Sequence, residues 1–266
     1  MSGPTKQELE RWLQVARDAA AAAGGIIARH AAEGVAEERK ADDSPVTIAD
    51  REAEQAIKEI ISAACPGHGF LGEEFGAQQA DADFVWLIDP LDGTKSFVRG
   101  YPFYSTQIAL RHGENIVLGV SAAPQVGETA WATRGGGAFL NGRQIQVSET
   151  TEVSQATLSG GNLATLAASP ASWSAYGELV QQVHRGRGYG DFYHYHLLAS
   201  GRIDAVVESD LNILDIAALS LIVEEAGGRF TTLAGHRPGL DVSTALASNG
   251  RLHDELLARL GWTGRH

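Results

Sequence analysis

"WLIDPLDGTKSF", residues 86–97, decides how this chain is read. An apolar run ends in two aspartates three residues apart, Asp89 and Asp92, and Gly93, Thr94 and Lys95 follow at once. The run predicts a buried strand over 84–88 whose end emerges at a sheet edge, where α/β proteins commonly hold ligands. Pro90 stiffens the loop. The spacing lets both carboxylates turn inward while the Leu91 carbonyl points at the same spot. Hard cations such as Mg²⁺ take such oxygen ligands. Two unneutralised aspartates this close would repel and raise a pKa, a cost that a cation removes. Gly93 lets the backbone approach a ligand closely. A helix starting over 93–96 would face an anion with its free N–H groups. Thr94 would position a water, and Lys95 adds positive charge nearby. A metal beside an anion cradle points to phosphate.

The rest of the chain bounds this reading. Its 266 residues allow one large domain or two small ones, and 44% are hydrophobic, enough for a real core. No apolar run approaches the ~20 residues that cross a bilayer. The start, "MSGPTKQELERW", lacks the apolar stretch of a signal peptide. Cys65 is the single cysteine, which excludes an internal disulfide and fits a reducing cytoplasm. A net charge of −12 argues against nucleic acid as a partner. It would also repel an anionic substrate unless a bound divalent cation reverses the local field.

Helical spacing of apolar residues predicts helices over 7–29 and 48–64, the second closed by Cys65, Pro66 and Gly67. Strands are expected over 84–88, 105–110, 116–121, 129–133 and 137–140, with Asn141-Gly142 as a hairpin turn. The second half alternates. Strands are expected near 156–159, 205–208 and 245–248. Helices are expected near 171–184, 193–200 and 252–260, with another opened by Asp215 and closed by Gly227-Gly228. The fold class is a layered α/β mixture in one catalytic domain, with subdomains of about 1–150 and 151–266.

Carboxylates stand next to apolar structure in four places: Asp50, Glu73-Glu74, Asp89 with Asp92, and Asp215. Asp50 lies three residues after Thr47 at a helix start, as in a capping box. Glu73-Glu74 could be a solvated turn, and Asp215 could N-cap its helix. Cys65, at a helix end, reads as structural. His194 and His196, two residues apart on a helix, face different ways and are not expected to share a metal.

Together these residues resemble the inositol monophosphatase family of Mg²⁺-dependent, lithium-sensitive phosphatases. "WLIDPLDGTKSF" is similar to its signature, and "KADDSPVTIADREAE", "GEEFG" and "LDIAALSLIVEEAGG" follow the family's order. The resemblance spans about residues 9–260. One departure is Leu214, where the family usually has tryptophan before the last metal aspartate.

The resemblance implies an α-β-α-β-α fold, a homodimer and two Mg²⁺ ions, with a third, weaker one near Glu73. Glu73, Asp89 and the Leu91 carbonyl would hold the first ion. Asp89, Asp92 and Asp215 would hold the second. Asp50 and Thr94, with Glu73, would act on the attacking water, and the Gly93 and Thr94 amides would contact phosphate. Glu74 would act from behind the ligands, and Lys40 belongs to a loop that closes near the site.

Within the family the sequence is closest to the histidinol-phosphatase subgroup. "DGTKSFVRG" and "RGYGDFYHYHLLASGRIDAVVES" are similar to that subgroup, as is Asn212 three residues before Asp215. Histidinol phosphate carries an ammonium and an imidazole, so carboxylates on the leaving-group side suit it. Asp191 and Glu208 are expected to bind its nitrogens, with Asn212 and Arg187 nearby; Arg187 could instead brace Asp191. The alternatives are an inositol-1-phosphate or broad sugar-phosphate monoesterase, and a catalytically silent binding protein. No metal ligand is missing, which counts against the last.

Overall fold

Alanines and large apolar residues at helical spacing produce two long helices. Helix α1 (Lys6–Glu33) buries Leu9, Trp12, Ala16, Ala19, Ala20, Ala23 and Ile27 along one stripe. Beyond it, strands β1 (Glu38–Arg39) and β2 (Pro45–Val46) form a short antiparallel pair. Helix α2 (Ile48–Ala64) opens at Thr47, whose hydroxyl accepts the Ala49 N–H at 3.2 Å, and Asp50 completes a capping box. It stops at Cys65, which is buried and unpaired, as its structural reading expects. The computed structural model describes residues 3–33, 38–39, 45–262 and 264; the expectation for Lys40 lies outside them.

The first sheet follows in chain order: β3 (Gly69–Gly72), β4 (Gly76–Gln78), β5 (Phe84–Asp92), β6 (Ser105–His112), β7 (Asn115–Ala123), β8 (Glu128–Thr133), β9 (Gly137–Leu140) and β10 (Arg143–Ile145). A short helix, α3 (Thr94–Val98), interrupts the run after β5. The strands lie in the order β10-β9-β8-β7-β6-β5-β3-β4. Only the β3–β5 pair is parallel; the rest form antiparallel ladders. Asn141 and Gly142 both take positive φ, 51° and 79°, as the β9–β10 hairpin turn requires.

The second sheet combines β11 (Thr157–Gly161), β12 (Arg185–Arg187), β13 (Ala205–Ser209), β14 (Arg229–Thr231) and β15 (Thr244–Ser248), ordered β12-β11-β13-β15-β14. Between them run α4 (Ala164–Ala168), α5 (Pro170–Gln182), α6 (Asp191–Ala199) and α7 (Ile213–Glu225), and α8 (His253–Leu260) follows β15.

Three cores define five layers. Helices α1 and α2 cover Trp86, Ile88, Ile108, Leu110 and Val120 on one face of the first sheet. Val85, Leu87 and Ala109 on the other face meet α6, α7 and the inner residues Val206, Ala245 and Ala247 of the second sheet. Leu158, Val207 and Leu246 on its outer face pack against α4, α5 and α8 through Leu166, Leu179 and Leu256. This is the α-β-α-β-α arrangement. Helix α7 is apolar nearly all round because it lies between two sheets.

One boundary is corrected. Asn212, not Asp215, caps α7, and Asp215 stands in the first turn. Both residue types cap well, so composition alone cannot choose between them.

Candidate active site

The site begins with an irregularity in β5. Side chains three residues apart on a regular strand point to opposite faces. Here Asp89 pairs with Gln107 and Asp92 with Ser105, so three steps on β5 match two on β6. This bulge brings both aspartates to one face. Gly93 then turns the chain at φ 86°, and a Cβ there would sit 2.4 Å from the Phe103 carbonyl oxygen. Only glycine fits, and α3 starts directly after it.

Asp215 arrives from the first turn of α7. One oxygen from each of Asp89, Asp92 and Asp215 lies within 4.8 Å of the others. Each carboxylate is held from behind. The Leu91 N–H donates to Asp89 Oδ1 at 2.9 Å. Ser105 Oγ donates to Asp92 Oδ2 at 3.1 Å. Asn212 donates its N–H and Nδ2 to the two oxygens of Asp215, each at 2.8 Å. Glu73 follows directly after β3, and its charge beside Asp89 adds to the rise of the Asp89 pKa.

Burial is the main reason these carboxyls resist ionisation, and mutual repulsion adds to it. Asp89 and Asp92 are pushed well above the carboxylate range and Asp215 to about 7. Clustered hard oxygens that repel one another fit a divalent cation, which offsets both effects.

Asp50 joins the site from α2. Its Oδ2 accepts the Thr47 N–H at 2.8 Å and the Thr47 hydroxyl at 2.7 Å. Its Oδ1 faces Thr94 Oγ1 at 3.3 Å, and the same hydroxyl lies 3.1 Å from the Leu91 carbonyl. One oxygen of Asp50 therefore caps the helix while the other looks into the site. Burial pushes its pKa up to about 6.

On the far side, Asp191 opens α6 and Glu208 comes from β13. With Asp92, Asp215, Asn162 and Tyr195 they line one crevice. Asp191 takes φ 47°, uncommon for a residue with a side chain. Burial and then the charge of Glu208 push it up to about 6. Glu208 Oε2 takes the Tyr195 hydroxyl at 2.7 Å and lies 3.1 Å from His194 Nε2.

Two expectations come out differently in detail. Arg187 does not brace Asp191: it is exposed on the edge strand β12 and donates to the Gly186 carbonyl at 2.7 Å. The side chain of Asn212 is occupied, accepting the Leu214 N–H at 2.7 Å while donating to Asp215. His194 and His196 do diverge, toward Glu208 and Glu128 respectively. Leu214 packs against the central core.

Glu54 was not singled out by the sequence. It is fully buried and anchors the Glu73-Glu74 turn. The signal was present: Glu54 lies four residues after Asp50, on the same face of α2.

Comparison with known proteins bears on this geometry. The model of the inositol monophosphatase family matches residues 8–265. The chain belongs to that family. The family is metal-dependent, and the Asp89, Asp92 and Asp215 cluster is where a metal fits. A histidinol-phosphatase of Streptomyces coelicolor is 43% identical over 234 residues, 84% of this chain and 86% of its own. One from Mycobacterium tuberculosis is 41% identical over 226 residues, 83% of this chain and 86% of its own. The extragenic suppressor protein suhB of Bartonella henselae superposes with a TM-score of 0.86 at 30% identity, covering 94% of this chain and 98% of its own.

Proposed function

We propose that this chain is a Mg²⁺-dependent phosphate monoester hydrolase that converts histidinol phosphate and water to histidinol and phosphate, a step of histidine biosynthesis. One observation carries the substrate choice. Asp191 and Glu208 add two carboxylates to a crevice that already contains Asp92 and Asp215. A neutral polyol has no charge to answer them, whereas an ammonium and an imidazole do. Glu208 is already bonded to Tyr195 and His194, so the discrimination falls mainly on Asp191, whose carboxylate a neutral leaving group would leave unpaired at a cost. The names of the two histidinol-phosphatase relatives support the same choice.

Glu73, Asp89 and the Leu91 carbonyl would hold one ion. Asp89, Asp92 and Asp215 would hold a second, and a third, weaker one would sit near Glu73. Bound there, the cations lower the pKa of a water and neutralise phosphoryl oxygens.

The chain's own residues do the aiming. The Gly93 and Thr94 amides, at the first turn of α3, lack intrahelical acceptors and suit phosphate oxygens. Thr94 Oγ1, between the Leu91 carbonyl and Asp50 Oδ1, accepts from the attacking water and passes hydrogen-bonding on to Asp50. With a pKa of about 6, Asp50 suits accepting a proton near neutrality. Asp191 and Glu208 orient the leaving group, while Asn212 serves by holding Asp215. The reading extends to a cytoplasmic homodimer without a nucleic-acid or membrane partner, supported by the lone cysteine, the acidic balance and the family.

A substrate panel tests it. With Mg²⁺, kcat/KM is expected to be at least ~10-fold higher for histidinol phosphate than for inositol 1-phosphate. Equal values would remove the assignment of histidinol phosphate.

A further inference from the structure

Directly behind Asp92 lies a line of buried polar side chains that the chemistry above does not use. Ser105 and Gln107 project from the same face of β6, and Ser121 stands opposite Gln107 on β7. Gln107 Nε2 donates to Ser105 Oγ at 2.7 Å and to Ser121 Oγ at 2.9 Å. Ser105 Oγ donates onward to Asp92 Oδ2 at 3.1 Å. In the other direction, Ser121 Oγ meets His196 Nε2 at 2.9 Å, and His196 Nδ1 meets Glu128 Oε2 at 2.9 Å. Arg202 reaches Glu128 Oε1 at 3.4 Å, at the exposed end. Ser105, Gln107, Ser121 and His196 are each no more than 1% exposed.

Counting protons sets the direction of every bond. With a cation keeping Asp92 ionised, and Glu128 held ionised by its hydrogen bonds to His196 and Arg202, the line ends in a carboxylate on each side, and ionised carboxylates only accept. Ser105 has one hydroxyl proton and gives it to Asp92, so its lone pair needs a donor. His196 gives its Nδ1 proton to Glu128, so Nε2 accepts the Ser121 proton, and Ser121 needs a donor too. Burial favours this neutral imidazole. A line with acceptors at both ends requires a double donor in its middle, and the amide NH₂ of Gln107 is one. The cost is visible: Gln107 Oε1 is buried without a hydrogen-bond partner. Flipping the amide would not help, because neither serine has a second proton to give.

We propose that Gln107, Ser121 and His196 are positioning residues: they fix the Ser105 hydroxyl on Asp92 and so hold that carboxylate in the orientation its place beside Asp89 and Asp215 requires. The proposal rests on Asp92 being a metal ligand. Partners of this kind commonly govern metal affinity more than substrate binding.

The test is Mg²⁺ binding to the full-length, metal-stripped protein, followed by calorimetry. Ser105→Ala is expected to weaken binding roughly tenfold. Gln107→Met, of similar length and without donors, is expected to weaken it roughly three- to tenfold. Because both act through one hydroxyl, Gln107→Met is expected to add nothing to Ser105→Ala in the double variant. At saturating Mg²⁺ the KM for the phosphate ester should match the parent. Additive losses would overturn the relay. So would parental Mg²⁺ affinity in Gln107→Met while Asp92→Asn has lost it. Parental affinity in Asp92→Asn would overturn the metal assignment itself, and the relay with it. If circular dichroism shows Gln107→Met unfolded, Ser121→Ala, which removes only a hydroxyl, carries the same comparison.

Discussion

Glu54 Oε2 accepts the backbone N–H of Glu74 at 2.7 Å, so helix α2 holds the turn that presents Glu73 to the site. Glu54 Oε1 takes the Phe75 N–H at 3.2 Å. The fit is close: a Cβ on Gly72 would sit 1.9 Å from Glu54 Oε1. Glu54→Ala leaves two N–H groups unsatisfied, which costs about 1–3 kcal/mol each when they stay dry. The expected outcome is a lower melting temperature and roughly tenfold weaker Mg²⁺ dependence of activity. A metal titration of turnover in parent and variant checks it; unchanged curves would mean that the turn holds itself.

Asp89 sits in the cluster within 4.8 Å of Asp92 and Asp215, with the charge of Glu73 acting on it. Asp89→Asn keeps shape and removes the charge. Turnover of every phosphate ester is expected to fall by ~1,000-fold or more, as happens when transition-state electrostatics are lost. The metal-free melting temperature should hold or rise, because one repelling carboxylate is gone. Activity that survives at a tenth of the parent's would contradict the assignment.

On the proposed reading, Asp191 governs substrate choice and not the chemical step. Asp191→Ala is expected to lower kcat/KM for histidinol phosphate by ~100-fold and for a neutral sugar phosphate by far less. Side-by-side kinetics on both esters decide it, and equal losses would make Asp191 a structural residue. Its φ of 47° favours Asn as a second variant, since Asn tolerates that conformation and removes only the charge.

The metal-free protein should lose stability as pH rises from 6.5 to 8.5. Asp215 is raised to about 7, and Asp89 and Asp92 are raised well above the usual range. A carboxyl whose folded pKa exceeds its unfolded value stabilises fully below the unfolded pKa, and that contribution disappears as pH passes the folded one. Buried His253, depressed to about 4, acts oppositely, but only below the ordinary histidine pKa, outside this window. Thermal melts in chelator should fall with pH, and added Mg²⁺ should raise the melting temperature most at pH 8.5. A flat profile would mean that the cluster ionises freely.

The signature was legible because its parts lie close together in the chain. A buried run ending in Asp89, Asp92 and Gly93 states its chemistry within one segment. The long helices were legible for the same reason, through the spacing of Trp12, Ala16, Ala19 and Ala23 or of Ala53, Ile57 and Ile61. Short strands such as β3, β4, β12 and β14 have too few residues to show a period, so they appear only once neighbours pair with them. The bulge in β5 is likewise a property of two strands, invisible in either alone. Glu54 and Arg187 show the limit for single residues. A charged residue on an inner helix face is informative, whereas one at the end of an edge strand says little about where its guanidinium turns. The line from Asp92 to Glu128 joins residues from β5, β6, β7, α6 and β8, and no local pattern announces it.

The wedging of α7 between the two sheets has a consequence for the newly made chain. Asp89 and Asp92 belong to one sheet, Glu208 to the other, and Asp215 to the helix between them. A polypeptide with only the first sheet assembled therefore holds Asp89 and Asp92 without Asp215 or Glu208, and the proposed centre is complete only once α7 and the second sheet have docked.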